Sequence, residues 1–236
     1  MNHLPFSLII PAAGSGSRMG ADTPKPYLNL KGVTVLERTL TCFMGLRGLQ
    51  QIVVATSEIY IKQTGEMLER LFPNVETGVT EGGERRQDSI YQALQAVNET
   101  SDLVAVHDAV RPFITKNVIS DCLNAASNVG GAIVGVPVKD TIKRVDAERM
   151  IKTTPERSFL WQAQTPQIFN REQFLKAYDY ANQNHVVVTD DASLFEAAGM
   201  RVKLIEGERD NFKLTYPIDF KIAEMLTETH IAGGTR

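Results

Sequence analysis

The chain has 236 residues, 43% of them apolar and 22% charged, with a formal net charge of −3. This is too apolar for a disordered chain, long enough to bury about 70% of its unfolded surface without a disulfide or metal staple, and slightly acidic where a nucleic-acid binder carries a basic face. No run approaches the ~18 uninterrupted apolar residues of a membrane span, so neither nucleic acid nor membrane is expected as a partner. The opening MNHLPFS lacks the basic and apolar regions of a secretory leader. Cys42 and Cys122 lie in amphipathic stretches without metal-ligand spacing, and read as reduced thiols of a cytoplasmic protein.

In chain order, Leu8-Ile9-Ile10 reads as a buried strand and runs into a glycine-rich loop, Pro11-Ala-Ala-Gly-Ser-Gly-Ser-Arg-Met-Gly20, then Asp22-Thr-Pro-Lys-Pro-Tyr27. Thr34 to Glu37 has the pattern of a capping box, and Leu36, Leu40, Phe43 and Met44 form a helical stripe behind it. Ile52–Ala55 is a second strand, Ile90, Leu94 and Val97 a second helix, Leu103–Val106 a third strand, and Val118, Ile119, Cys122 and Leu123 a third helix. Ala132–Val136 is a fourth strand, and a last helix begins at Pro217 with Ile218, Ile222, Met225 and Leu226 as its stripe. The strands are apolar on both faces, as parallel strands covered by helices must be. Strand and helix in alternation predict an α/β fold with a mainly parallel sheet, and no repeat or linker divides residues 1–236 into more than one domain. One segment breaks the pattern. Residues 139–157 are polar and charged, with strand-like pieces Thr141–Val145 and Met150–Thr154 around the turn Asp146-Ala-Glu-Arg149. A two-stranded hairpin is marginal alone, so it must lie on its own domain or clasp another chain.

Ligands of open α/β sheets sit beyond the C-terminal strand ends, where a glycine-rich loop leaves backbone N–H groups free for phosphate oxygens. The loop fails the dinucleotide fingerprint at Met19, and it fails the phosphate-loop pattern because Gly20 precedes Ala21. What remains is Arg18 in a small flexible loop and Lys25 fixed between Pro24 and Pro26; the alternative is a tight turn bearing two solvated cations. Asp108 ends a strand in Val106-His-Asp-Ala-Val-Arg-Pro112, at the ligand-binding edge, or forms a plain i,i+3 pair with Arg111. Asp190 and Asp191 have the look of a metal pair but fit a helix N-terminus better. Ser89 also fits a helix-start hydroxyl. His107 reads as a structural histidine, and no role is assigned to it.

The loop resembles the signature of sugar-phosphate nucleotidyltransferases. Gly82-Gly83-Glu-Arg-Arg86-Gln-Asp-Ser89, Val106–Pro112, Asp140-Thr-Ile-Lys143, Gln164-Thr-Pro-Gln-Ile-Phe169, Thr189-Asp-Asp-Ala-Ser193 and Asp210-Asn-Phe-Lys213 follow in order. Together they resemble the 2-C-methyl-D-erythritol 4-phosphate cytidylyltransferase family over about residues 8 to 228. The resemblance implies a Rossmann-like domain with an extended β-arm, residues 139–157, that joins two subunits into a homodimer. It implies CTP and a polyol phosphate as substrates and magnesium as cofactor, within the non-mevalonate isoprenoid pathway. It further implies that Arg18, Lys25 and Lys213 are the catalytic cations and that Gly14 and Gly16 donate to the triphosphate. Ala12, Ala13, Gly83, Glu84 and Ser89 would surround ribose and base, with Asp108 and Ala109 beside the nucleotide. Asp108, Arg111, Thr141, Arg157, Thr165 and Thr189 would hold the polyol phosphate, Thr141 and Arg157 from the partner's arm. Asp108 and Asp210 are candidate metal neighbours, and Arg86 a buttress of its loop. The family commonly has Asp at Glu84 and Gln at Pro26; the second difference bears on loop shape more than on the lysine. A ribitol 5-phosphate cytidylyltransferase shares the loop and arm, and a non-catalytic nucleotide-binding subunit shares the fold, but such a subunit is expected to lose Arg18, Lys25 or Lys213.

Overall fold

The computed structural model describes residues 4–14 and 23–232. The chain runs β1 (Phe6–Pro11), a small hairpin of β2 (Asn29–Leu30) and β3 (Val33–Thr34), α1 (Val35–Thr41), β4 (Leu49–Thr56), α2 (Ile61–Leu71), β5 (Glu76–Glu81), α3 (Arg86–Gln95), β6 (Leu103–Val106) and α4 (Lys116–Val129). It continues through β7 (Gly131–Pro137), β8 (Arg144–Val145), β9 (Ile151–Thr153), β10 (Trp161–Asn170), α5 (Arg171–Gln183), α6 (Asp191–Ala197), β11 (Lys203–Glu206) and α7 (Pro217–Ala232). Seven strands form one sheet in the order β11-β7-β10-β6-β1-β4-β5. All neighbours are parallel except β10, which runs antiparallel to both β6 and β7. The four apolar runs of the sequence are β1, β4, β6 and β7.

Side chains of β1 alternate between two cores, as strand geometry requires. Leu8 and Ile10 pack with Leu36, Leu40, Met67, Leu68 and Ile119 of α1, α2 and α4. Ile9 packs with Ile90, Leu94, Phe174, Tyr178 and Leu194 of α3, α5 and α6 on the opposite face. Fully burying each Leu, Ile or Phe contributes roughly 1.5–3 kcal/mol, so a double-sided core holds the sheet without a disulfide; Cys42 and Cys122 are both free. Among the described residues no helix is long and apolar enough to cross a membrane.

Three local expectations are corrected. Thr34 caps α1 by accepting from the Glu37 N–H at 3.1 Å, but Glu37 does not complete a capping box: its carboxylate pairs with Arg70 at 2.9 Å. The helix also stops at Thr41, leaving Phe43 buried but Met44 exposed. In α7 most of the predicted stripe is the outer face, for Ile218, Ile222 and Met225 are exposed and Leu226 alone of the four turns inward. The inner face is Phe220, Ala223 and Leu226 against Leu30, Phe113 and Leu214. Here α7 covers the small β2–β3 hairpin rather than the main sheet, so its own larger side chains are not all needed inside.

The charged hairpin is an excursion from a β-hairpin connection. β7 and β10 pair antiparallel from Pro137–Trp161 inward, with Val138 N–H donating to the Leu160 carbonyl at 3.0 Å. Residues 139–157 leave between them and carry the separate two-stranded sheet β8–β9. The strands are shorter than the sequence suggests because the turn takes up more chain: Arg149 is left-handed at φ 65°, and Asp146 Oδ1 accepts from the Met150 N–H at 2.8 Å.

Candidate active site

The C-terminal ends of β1, β4 and β6 meet at one edge of the sheet. Ala12 N–H donates to the Ala55 carbonyl at 2.7 Å, and His107 N–H to the Ile9 carbonyl at 3.0 Å, which carries the sheet pattern one residue past each strand. The loop after β1 then leaves with Ala12 buried, Ala13 half-buried and Gly14 exposed. Gly16 and Arg18 lie outside the described residues. Lys25 re-enters within a 3-10 turn, Lys25–Tyr27, that begins after Pro24. Pro26 fits this turn, where it needs no N–H partner. Lys25 is buried, and its ammonium donates to the Thr215 carbonyl at 2.5 Å.

The second glycine loop closes against the first. Gly82 N–H donates to the Thr56 carbonyl at 2.8 Å, and a Cβ at Gly82 would stand 2.2 Å from the Ala13 Cβ, so no larger residue fits without moving the loop. Gly83 is similarly confined, with the Asp88 Cβ at 2.5 Å from an added Cβ. Ser89 Oγ accepts from the Gly83 N–H at 3.1 Å and donates to the Arg85 carbonyl at 3.1 Å. Its hydroxyl therefore ties the loop to α3; Ser89 is not the helix-start hydroxyl, because it is the fourth residue of α3 and Arg85 stands at the cap position. Glu84 is exposed.

Asp108, two residues past β6, is the electrostatic centre. Its buried carboxylate meets Arg86 Nε at 3.3 Å, Arg111 Nε at 3.3 Å and Lys213 Nζ at 3.0 Å. The i,i+3 pair with Arg111 is thus real but only part of the cluster. Burial alone would raise the Asp108 carboxyl, yet Lys213, Arg86 and Arg111 pull it well below the usual carboxylate range. Arg86 also pairs with the buried Asp191 at 2.9 Å. Burial pushes the Asp191 carboxyl up against that attraction. Arg111 is fixed by a 2.8 Å bond to the Asn211 carbonyl, and Asn211 is held by Gln164 Oε1 at 3.0 Å and the Thr165 carbonyl at 2.9 Å. Arg111 and Lys213, with Arg209, Gln162, Gln164 and Phe212, line an open cleft of about 260 Å³. A protein of net negative charge thus gathers cations locally.

His107 completes the support. Its Nε2 lies 3.0 Å from the Arg111 carbonyl, which can only accept, so Nε2 carries the proton. Nδ1, 3.1 Å from Thr165 Oγ1, then accepts from that hydroxyl. Thr165 in turn accepts the Asp108 N–H at 3.0 Å. Burial lowers the His107 pKa to about 4, so the ring is neutral near pH 7 and is no acid or base.

This geometry frames the comparisons with known proteins. The profile of the 2-C-methyl-D-erythritol 4-phosphate cytidylyltransferases matches residues 6–229. The chain belongs to this family. The enzyme of that name from Symbiobacterium thermophilum is 43% identical over 225 residues, 95% of this chain and 94% of that one. The one from Mannheimia succiniciproducens is 41% identical over 93% of this chain and 95% of its own. The crystal structure of 4-diphosphocytidyl-2C-methyl-D-erythritol synthase from Anaerococcus prevotii superposes with TM-score 0.86 at 28% identity, over 96% of this chain and 97% of that one. The Francisella tularensis cytidylyltransferase gives TM-score 0.78 at 33% identity, over 94% and 99%.

Against the family's expected site, the fold brings together Ala12, Ala13, Gly14, Lys25, Gly83, Ser89, Asp108, Ala109, Arg111, Thr165 and Lys213 around the strand ends. Ala109 is buried, its carbonyl taking the Thr39 hydroxyl at 2.9 Å. Thr165 is buried with its hydroxyl shared between Asp108 and His107, so it shapes the site in this state rather than opening to it. Thr189 is exposed just before α6. Thr141 and Arg157 are exposed on the hairpin; Arg157 donates to the Lys139 carbonyl at 2.8 Å. Among the described residues no hydrogen bond or ion pair joins either to the Asp108 cluster. Asp190 caps α6 through the Ser193 N–H at 3.2 Å, as the helix reading expects, whereas its neighbour Asp191 serves the cluster. Asp191 and Asn211 are the site residues that sequence reasoning missed, although both lie inside quoted motifs, and Arg86 does more than buttress.

A resident metal fits this arrangement poorly. Both Asp108 oxygens are taken by cationic side chains, Asp210 is exposed, and among the described residues no group of three His, Cys, Asp or Glu converges on one point.

Proposed function

We propose that this chain transfers the cytidylyl group of CTP to 2-C-methyl-D-erythritol 4-phosphate, releasing pyrophosphate and 4-diphosphocytidyl-2-C-methyl-D-erythritol in the non-mevalonate isoprenoid pathway. The observation that carries the reading is a full-length family match whose motifs converge on the Asp108 cluster at the strand ends. A phosphate oxygen of the polyol attacks the α-phosphorus, and the bond from that phosphorus to the β-phosphate bridging oxygen breaks. The nucleophile's second pKa is about 6, so it arrives as a dianion and needs no general base. The obstacle is charge, which fixed cations in a water-poor site offset most effectively.

Lys25, buried and placed by its 3-10 turn, is assigned to the triphosphate together with Arg18, and the backbone donors are assigned to Gly14 and Gly16. Lys213 meets the charge growing between the two substrates. Ala12, Ala13, Gly83, Glu84 and Ser89 enclose ribose and cytosine, where buried polar groups left unpaired penalise the wrong base. Arg111, Asp108 and Thr189 face the polyol phosphate, and Thr165 acts on it through Asp108 and His107, which its hydroxyl joins. Magnesium would enter with CTP and offset part of the triphosphate charge; neither Asp108, whose oxygens carry cationic side chains, nor the exposed Asp210 is arranged to hold it.

Residues 1–236 form one catalytic domain, and the arm, 139–157, joins two copies. Ile142, Val145, Met150, Ile151 and Phe159 are exposed on or beside the arm, an apolar set that a second subunit would cover. Across that contact Arg157 and Thr141 reach the partner's polyol phosphate, Arg157 with paired donors. The unpaired thiols suit a cytoplasmic setting. Pyrophosphate release from CTP and magnesium, with methylerythritol 4-phosphate and ribitol 5-phosphate assayed in parallel, tests the reading. Release with the first alone is expected; release with ribitol phosphate alone overturns the substrate, and silence with both overturns catalysis.

A further inference from the structure

We propose that Arg86, anchored by Asp191, is a positioning residue that keeps the Asp108 carboxylate neutralised while Lys213 turns from it to substrate phosphate. The inference rests on the assignment of Lys213 to the reacting phosphates. Lys213 Nζ is held by Asp108, at 3.0 Å. A cation that serves a phosphate must loosen that contact, and a buried carboxylate stripped of its partner is costly.

The three cations on Asp108 are not equally free to go. The Arg111 side chain is 11% exposed and bonded to the Asn211 carbonyl, and that of Arg86 is 29% exposed and bonded to Asp191. The Lys213 side chain is 42% exposed. Lys213 is thus the one that can swing. The charges agree: Arg86, Arg111 and Lys213 stand against Asp108 and Asp191, one positive charge in excess. When Lys213 turns to a phosphate, two arginines and two carboxylates remain and the buried cluster is neutral. The nearby Asp190 makes no ion pair with the three cations; its carboxylate accepts from Ser193 Oγ at 2.5 Å and Gln167 Nε2 at 2.9 Å, and its charge adds equally to each of these states. Without Arg86 the cluster is neutral only if Lys213 stays, and the lysine is held back. Without both Arg86 and Asp191 the original excess returns.

The test measures kcat at saturating CTP and methylerythritol phosphate, Kd for CTP and Tm, for wild type, Arg86→Gln, Arg86→Lys and the double variant Arg86→Gln/Asp191→Asn. The expected result is a kcat about tenfold or more lower in Arg86→Gln with CTP affinity within about threefold of wild type. The double variant should recover most of that loss, and Arg86→Lys, which keeps the charge, should retain kcat within about threefold. A double variant no faster than Arg86→Gln overturns the inference, as does a loss of CTP affinity in step with kcat, or Arg86→Lys as slow as Arg86→Gln. Where Arg86→Gln does not fold, the charge-balanced double variant must fold and turn over, and its failure is equally decisive. A silent wild type overturns the proposed function and this inference together; an active wild type with an unrescued double variant overturns the inference alone.

Discussion

The Asp108 cluster and the arm are both rich in charge, yet they are built on opposite terms. In the cluster every charged group has a buried counterpart: Asp108 holds three cations, Asp191 holds Arg86, and a neutral His107 braces Arg111 and Thr165 from below. In the arm the charges are solvated and its larger apolar side chains are exposed. Its Lys152–Asp146 pair, at 2.9 Å with the lysine side chain 61% exposed, contributes little. The cluster is satisfied within one chain, whereas the arm leaves its apolar side chains exposed, as the proposed dimer contact requires. Substitutions should therefore act on chemistry and folding in the cluster, and on assembly and polyol phosphate in the arm.

The largest expected effect is in the site. Lys25→Met keeps the packing and removes the charge, and turnover should fall by roughly a hundred- to thousandfold with circular dichroism unchanged. A fully active variant would show that the buried lysine serves the fold rather than the reaction. The next tests the arm: Arg157→Ala should raise KM for the polyol phosphate by about ten- to hundredfold and leave Tm and CTP affinity in place. An equal loss of CTP affinity would mean that the arm does more than hold the phosphate. Third, Met150→Asp/Ile151→Asp puts charge on the arm's apolar edge. Sedimentation should then shift from dimer to monomer while the domain stays folded; an unchanged sedimentation coefficient would place any dimer contact elsewhere.

The smallest effect separates the two regions by pH. The folded pKa of His107 lies near 4, below the unfolded value of about 6.5. On acidification the unfolded chain takes up that proton first, so the histidine's contribution is intact above about pH 6.5 and is lost progressively down to about pH 4, by ~3 kcal/mol in all. Tm should fall through this window, and the His107 ring resonances should stay fixed from about pH 8 to 5.5. A ring that titrates near pH 6.5 would contradict the neutral brace.

Legibility in the sequence follows the same division. The strands buried on both faces, β1, β4, β6 and β7, are plain as apolar runs. β5 and β11 sit at the sheet's edges with half-polar faces, and β10 is interrupted by Gln164 and Pro166, so periodicity alone does not mark them. The glycine-rich loop, Asp108 and the hairpin stand out as motifs or as breaks in pattern. The Arg86–Asp191 pair does not, because its halves lie on α3 and α6 and meet only in the folded chain. Asp191 is further masked by its neighbour, since two adjacent aspartates before a helix suggest one role where the structure gives them two. On α7 side-chain size is a poor guide to burial: Ile218, Ile222 and Met225 face outward, whereas Ala223 and Thr227 pack inward.

The central claim is that fixed cations, rather than an acid or base of the protein, carry the reaction. The pH dependence of kcat at saturating CTP, magnesium and methylerythritol phosphate tests it most directly. The account predicts a rate that rises through the substrate phosphate's second ionisation at about pH 6 and then stays level to about pH 9. A bell-shaped profile, or a limb near neutrality that His107→Asn abolishes while the fold is kept, would contradict it.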